Sequence, residues 1–317
     1  MSRKTLIAAF ATVLLLVAAA TWMLRQAEER PHSSAARELH PRSLHRAGNG
    51  ETISKSRWDI LTRDDLPRHQ RLEIARRISA SLGPDDAGTL FTALRHTPRS
   101  GGEEDWYVIL NEIMEQMRRH GLGSDEYSAH LGDLAADPSM PEVVRDYAIQ
   151  HLALWIAPGN PDQVPHEENP GHIAQSLLHI TTAIQDPGLS GSSVPGTALL
   201  ALADISLHLP QELLAPAWRS LESYLNGVFS GESPAHLSTR VSAIQAVART
   251  RQQQYLPVVR AFASDETADA SVRLSSIASL GFYASPADQP LLEGIASRNS
   301  RFKYAARSAL GRFATNP

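Results

Sequence analysis

The densest group of potentially reactive side chains lies in residues 158–172. This stretch offers two imidazoles and three carboxylates, at Asp162, His166, Glu167, Glu168 and His172. Such groups are common zinc ligands, and zinc proteases place two histidines on one helix in the spacing H-E-x-x-H. Here His166 and His172 have a different spacing, and Pro170-Gly171 is expected to break any helix. The stretch thus lacks the zinc-protease motif but keeps the residue types that bind metals. A metal-dependent enzyme, or an accessory subunit, with its site in this stretch is the alternative to the leading prediction given below.

Signatures of other enzyme classes are absent from the sequence. The 317 residues include no cysteine, so this chain has neither a thiol nucleophile nor a thiolate metal site. Residues 188–193 do not match G-x-S-x-G, and the sequence has neither GxGxxG nor a Walker A motif. We therefore predict no catalytic, cofactor-binding or metal-ligating residue and no cofactor. The net charge of −4 also argues against a nucleic-acid partner.

The N-terminal residues predict a helix that spans a membrane. Residues 5–24 form an uncharged, apolar run of twenty, with Arg3, Lys4 and Arg25 beside it. A helix of this length crosses the roughly 30 Å hydrocarbon core of a bilayer. Trp22 lies where an interfacial aromatic residue is expected. Because few residues precede the run, we expect a single-pass protein of a bacterial inner membrane, with its main body on the periplasmic side.

A cleaved signal peptide is the competing interpretation of the same segment. The small residues 18–20 could be the cleavage site, which would give a periplasmic or secreted protein. In either case residues 1–25 are an anchor or a signal sequence. Residues 26–56 contain Pro31 and Gly48-Asn49-Gly50 with little apolar periodicity, so they are expected to form a flexible linker.

The remainder, residues 57–317, has the pattern of short helices. Apolar residues recur at intervals of three and four, and Pro, Gly, Asp or Ser interrupts the pattern at short distances. No convincing two-residue alternation, which is typical of a strand, is present. This part of the chain is therefore expected to form a single helical domain with about a dozen helices.

Three segments near the C-terminus repeat one pattern. They begin at the basic residues Arg240, Arg273 and Lys303, which lie 33 and 30 residues apart. Counting from the basic residue, each segment has a small residue at position +3 and an aliphatic residue at +7. Position +4 is isoleucine in the first two segments and Arg307 in the third. Proline follows at +17 in the first two, so each unit is a helix, a turn and a second helix. The small and aliphatic positions share one helix face and should form a buried stripe.

This pattern resembles the HEAT-repeat family, in the short form related to the repeats of phycobilin lyases. The resemblance is most specific over residues 235–315. It is weaker over 141–228, where Arg145 and Pro195 take the basic position, and only compatible over 57–136. The resemblance implies an all-α fold. It would be a right-handed α-solenoid of helical hairpins that each contact mainly their neighbours.

The basic residues of the repeats are the candidate binding residues. In a regular solenoid their side chains would stack along one face and could bind an acidic partner. Alternatively, each could pair with a carboxylate or with the C-terminal carbonyls of an adjacent helix. The last repeat is also locally basic, which would suit an acidic protein or anionic lipid headgroups. The candidate partner-binding residues are Arg145, Arg240, Arg273, Arg301, Lys303 and Arg307.

The resemblance supplies no catalytic site. Deoxyhypusine hydroxylases, a class of HEAT-like enzymes, hold a di-iron centre with several His-Glu pairs, whereas this chain has the single pair His166-Glu167. The leading prediction is therefore a protein–protein interaction scaffold, anchored in the membrane by its N-terminal helix and acting outside the cytoplasm. Its partners would be proteins, with no nucleic acid bound.

Overall fold

A computed structural model describes residues 66–78, 87–95, 103–119, 121, 124–157, 170–298 and 300–315, all within the unit Asn49–Pro317. These residues form fourteen α-helices and contain no strand, which confirms the all-α prediction. The helices are α1 (Arg68–Ile78), α2 (Ala87–Leu94), α3 (Glu103–Arg119), α4 (Ser124–Ala136), α5 (Glu142–Ile156), α6 (Pro170–Gln185), α7 (Val194–Ile205), α8 (Gln211–Ser220), α9 (Glu222–Ser230), α10 (Leu237–Arg249), α11 (Leu256–Ser264), α12 (Ala270–Tyr283), α13 (Gln289–Ser297) and α14 (Lys303–Thr315).

The helices of this unit are arranged in two layers. The first layer contains α1, α3, α5, α7, α10, α12 and α14, and each of these helices packs on the next. In the second layer, α2, α4, α6, α9, α11 and α13 each pack on the first-layer helix that follows them in the chain. Contacts between successive neighbours of this kind are characteristic of an α-solenoid. The handedness of the solenoid stays a prediction.

The packing also defines which two helices form a hairpin. The helix that contains Pro257, α11, packs extensively on α12, which follows it, and much less on α10, which precedes it. Helix α13 pairs with α14 in the same way. The sequence pattern placed the basic helix first and the proline helix second, whereas the closely packed pair has the opposite order. A short 3₁₀ turn, Gln253–Tyr255, separates α10 from α11 and redirects the chain there.

The core follows the stripe predicted from the repeats. Six of the small and aliphatic repeat residues are fully buried: Ala243, Ile244, Val247, Ile277, Leu280 and Ala306. Leu310, in the last helix, is only partly buried. Trp106, Trp155 and Trp218 are buried as well, consistent with packing roles. Because burial of a large aliphatic side chain stabilises a fold by about 1.5–3 kcal/mol, this stripe is a principal source of stability.

Several expectations concern residues that lie outside the described part. These are the membrane segment 5–24, the linker 26–56 and most of the stretch 158–172. Among the described residues, none of the helices combines the length and apolar character needed to cross a bilayer. Pro170-Gly171, expected to break any helix between His166 and His172, lies at the first two residues of α6. Proline is compatible with the first helical turn because the N–H that it lacks has no partner within the helix.

Candidate functional site

The basic residues of the repeats occupy the first turn of their first-layer helices. Arg145, Arg240 and Arg273 are each the fourth residue of α5, α10 and α12, and Lys303 is the first residue of α14. Arg240 and Arg273 lie near the end of the second-layer helix that precedes each of them in the chain. Their surroundings therefore indicate whether their charges are used inside the protein or are available to a partner.

Arg273 is satisfied within the protein. It is 9% exposed, and its Nε donates a hydrogen bond of 3.2 Å to the carbonyl of Ala263, in the last turn of α11. Its Nη2 lies 3.8 Å from Oε1 of Glu266, and its guanidinium lies 4.8 Å from the ring centroid of Phe302. A cation at a helix C-terminus is stabilised by the carbonyls there, and the ring adds a cation–π contact. Arg273 thus links α11, α12 and the start of α14.

Arg145 is also buried, at 8% exposure. In the described part of the chain its Nε and Nη1 have no hydrogen-bond partner, but three carboxylates surround it. Hydrogen bonds from Ser139, and then the positive charges of Arg95 and Arg145, lower the pKa of Asp137. Burial raises the pKa of Asp146. The hydrogen bond from Ser193 and the charge of Arg145 act in the opposite direction but do not cancel this effect. This guanidinium therefore balances acidic groups around the start of α5.

Arg240 is half-buried beside the end of α9. Its Nη2 is 3.8 Å from the point where a β-carbon on Gly231 would lie, and Gly231 caps α9 with a left-handed φ of 81°. The Nε of Arg240 is buried without a hydrogen-bond partner among the described residues. Like Arg273, it therefore approaches the C-terminus of the preceding second-layer helix. Burial removes Arg145 and Arg273 from any continuous exposed basic ridge.

The remaining candidates gather around α14. Arg301 and Arg307 are exposed, and Lys303 is half-buried. None of the three forms an ion pair with a described residue, although the guanidinium of Arg301 lies 5.0 Å from the ring centroid of Phe302. Tyr304 is 77% exposed beside them. The structure thus separates the six candidates into internal residues and a basic, accessible group at the last helix.

The place of Arg307 in the repeat explains its departure from the pattern. The equivalent residues Ile244 and Ile277 are fully buried, because α10 and α12 each have a following first-layer helix packed on them. No described helix follows α14 on that side, and Arg307 is exposed. A helix face on which no other helix packs is expected to carry polar groups. The arginine therefore fits an exposed outer face where an isoleucine would leave apolar surface in water.

A buried charged cluster joins α3 to α5 and was not predicted. Arg118 binds Glu115 through Nε at 3.0 Å and Nη2 at 2.7 Å, and Arg119 binds the same carboxylate at 2.6 Å. Nε2 of His151 lies 3.1 Å from Oδ1 of Asn111, and Nδ1 lies 3.8 Å from Oε2 of Glu115. The spacing of Glu115, Arg118 and Arg119 on one helix was a visible signal. The approach of His151 to Asn111, 40 residues away in the chain, had no such signal.

Electrostatics in this cluster follow from burial and pairing. Burial lowers the pKa of His151 to about 4, which keeps the imidazole neutral at physiological pH. Burial alone would raise the pKa of Glu115, but hydrogen bonds from Arg118 and Arg119 outweigh it and the pKa lies below its usual value. The arrangement is an internal ion pair with a neutral histidine beside it, in which Nη1 of Arg118 and Nδ1 of His151 have no hydrogen-bond partner among the described residues. Its contacts link α3 to α5, so we interpret it as a cluster that stabilises the packing of these two helices.

Of the stretch 158–172, only residues 170–172 are among those that the structure describes. Gly171 and His172 lie in the first turn of α6, and residues 158–169, including His166 and Glu167, lie outside the described ranges. Within those ranges, no group of three or more histidine, aspartate or glutamate side chains could hold a metal ion. The metal-site alternative therefore rests on the sequence alone.

Comparisons with known proteins bear on the fold. Residues 232–311 match the model for HEAT repeats. A solved structure of human deoxyhypusine hydroxylase in complex with glycerol is similar at 15% identity and a TM-score of 0.33, over 84% of this chain and 98% of that one. Similarity at this level does not indicate a shared activity. No curated protein sequence matches the chain significantly. The segment 232–311, which covers α10 to α13 and most of α14, thus matches HEAT repeats, as its sequence pattern predicted.

Proposed function

We propose that this protein is a protein–protein interaction scaffold, anchored in a membrane by residues 5–24 and acting outside the cytoplasm. The observation that carries the scaffold role is the uninterrupted first layer, from α1 to α14, in which every helix packs on the next. Such an array holds many side chains in fixed relative positions over a long surface, which suits the binding of another protein. HEAT repeats in residues 232–311 support this role.

The exposed side of the first layer carries the mixture of groups that protein interfaces use. Repeat position +1 places Val241, Leu274 and Tyr304 at or near the surface of successive helices. Repeat position +9 places Arg249 and Arg312 there, where Arg249 pairs with Asp204 of α7. Aromatic residues and arginine are enriched at interfaces, and scattered apolar residues beside them supply buried area on binding.

The membrane location is the part of the proposal that rests on sequence. The uncharged run 5–24 is long enough to span a bilayer, and residues 26–56 would give the repeat domain reach from the membrane surface. A reporter enzyme fused after residue 317 tests this topology. Activity of a reporter that works only in the periplasm is expected. Activity only of a cytoplasmic reporter would overturn the export of the repeat domain.

The scaffold role is tested by crosslinking the full-length chain in cells, followed by affinity capture and mass spectrometry. A small, reproducible set of envelope proteins is expected, with crosslinks on first-layer helices. The matched control is the chain without crosslinker. The absence of specific partners would contradict the scaffold role, and metal analysis of the purified chain and of His166→Ala would then test the stretch 158–172.

A further inference from the structure

The outer side of α14 is an exposed surface with a defined pattern, which we call the α14 face. It consists of Arg301, just before the helix, and Tyr304, Arg307, Ser308 and Gly311 within it, all of them exposed. Residues spaced by three or four lie on one side of a helix, so these side chains form a single strip. Tyr304 is the most exposed of the large hydrophobic side chains in the described residues.

Two of these repeat positions, those of Arg307 and Gly311, are covered by the next first-layer helix in the repeat of α12, whereas the residue equivalent to Tyr304, Leu274, is exposed there. On α12, Ile277 is fully buried, and a β-carbon on Gly281 would lie only 2.7 Å from Cα of Ala309 on α14. On α10, the carbonyl of Val241 accepts a hydrogen bond of 3.4 Å from Ser275 of α12. The α14 face therefore repeats the geometry of a surface on which a helix lies. A β-carbon on Gly311 would have no described atom within 4 Å.

The charge of the α14 face is uncompensated within the described residues. Arg301, Lys303 and Arg307 form no ion pair there. Glu266, which lies 3.8 Å from Arg273, already binds Arg298 at 2.7 Å. In the equivalent position of α12 an apolar residue meets an apolar neighbour, whereas Arg307 presents a cation. The complementary surface must therefore supply carboxylates.

We propose that the α14 face binds an acidic amphipathic helix of a partner protein, which rests on the scaffold function proposed above. A small residue of the partner helix would pack against Gly311, as Ala309 packs against Gly281 inside the solenoid. Glutamate or aspartate side chains of the partner would pair with Arg301 and Arg307, and its apolar face would cover Tyr304. The helical geometry favours a protein over a lipid surface, since a bilayer offers no ridge for the strip beside Gly311.

The test measures binding of a defined probe by the full-length chain and its variants. The probe is a fluorescein-labelled helical peptide of repeated Glu-Ala-Ala-Glu-Leu-Ala-Ala heptads, and the control peptide has lysine in place of glutamate. Fluorescence anisotropy is expected to show binding of the acidic peptide only. Arg307→Glu should weaken that binding at least about tenfold, and Tyr304→Ala should weaken it without lowering the thermal midpoint. Arg219→Glu is the matched control, because Arg219 is exposed on α8, away from the α14 face.

Two results would overturn the proposal. One is that the acidic peptide does not bind, or that Arg307→Glu and Arg219→Glu change its affinity equally. The other is binding to vesicles of phosphatidylcholine and phosphatidylserine that Arg307→Glu abolishes while the peptide does not bind, which would assign the face to a lipid surface. Cellular crosslinking of Arg307→Glu separates this proposal from the scaffold function. If Arg307→Glu captures the same set of partners as the unchanged chain, the scaffold function stands but the α14 face is not a binding surface.

Discussion

At the scale of single residues, the cluster around Glu115 makes the clearest prediction about stability. Arg118 is almost fully buried and makes a two-point contact with Glu115, whereas Arg119 contacts the same carboxylate from an exposed position. Arg118→Gln leaves a partly buried carboxylate short of its main partner and should cost about 3–5 kcal/mol of unfolding free energy. Arg119→Gln should cost under about 1 kcal/mol. Urea unfolding of both variants measures the difference, and equal losses would contradict the assigned roles.

His151 predicts a dependence of stability on pH. Its pKa is about 4 in the folded protein, against 6.5 for an unperturbed histidine, with Glu115, Arg118 and Asn111 facing the ring. Between pH 6.5 and about 4, this histidine binds a proton in the unfolded chain but stays neutral in the folded chain. The free energy of unfolding should therefore fall as the pH drops through this range. Complete loss of this contribution is on the order of 3 kcal/mol. The lowered pKa of Glu115 acts in the same direction at the acidic end.

The measurement for His151 is urea unfolding at a series of pH values. His151→Gln should flatten the decline of stability above the range where Glu115 titrates, whereas His69→Gln, exposed on α1, should not. An equally steep decline in the His151 variant would show that other groups carry the pH dependence. The sequence could not predict this effect, because it depends on the packing of α3 on α5.

At the scale of helices, two glycines at the same repeat position predict opposite effects. A β-carbon on Gly281 would lie 2.7 Å from Cα of Ala309, whereas one on Gly311 would meet nothing within 4 Å. Gly281→Ala should therefore push α12 and α14 apart and cost about 1–3 kcal/mol. Gly311→Ala should stabilise the fold by up to about 1 kcal/mol, because alanine favours a helix. Equilibrium unfolding of both variants in urea measures these changes in unfolding free energy. A gain of stability at both positions would show that α12 and α14 adjust to the added methyl group without strain.

The helices also show what could be predicted from sequence. The register of Arg240, Arg273 and Lys303 predicted the buried stripe correctly, because small and aliphatic residues at three- and four-residue spacing have few alternatives to burial. In the sequence, helices with the basic residue alternate with helices that begin near a proline, and a proline helix could pair with the basic helix before it or after it. The packing of α11 on α12 therefore could not be predicted. The sequence pattern singled out the basic residues as candidate binding residues, and only packing shows that Arg273 reaches the end of α11.

At the scale of the whole unit, contacts between successive neighbours predict that stability is local. The charged cluster joins α3 to α5, and Gly281 lies at the contact between α12 and α14, with α7 and α10 between these regions in the first layer. In an array of this kind, total stability is close to a sum of repeat and interface contributions, and a weakened interface opens its own neighbourhood first.

Native-state hydrogen exchange with mass spectrometry tests this locality with the substitutions already described. Gly281→Ala should accelerate exchange in α12, α13 and α14 while α3 and α5 keep their rates. Arg118→Gln should do the reverse, because it weakens only the contact of α3 with α5. Two destabilising variants with opposite exchange maps can arise only if free energy is stored interface by interface. Uniform acceleration in both variants would instead mean that the unit unfolds as one cooperative body, in which case a partner bound at α14 would stabilise α3 as much as α12.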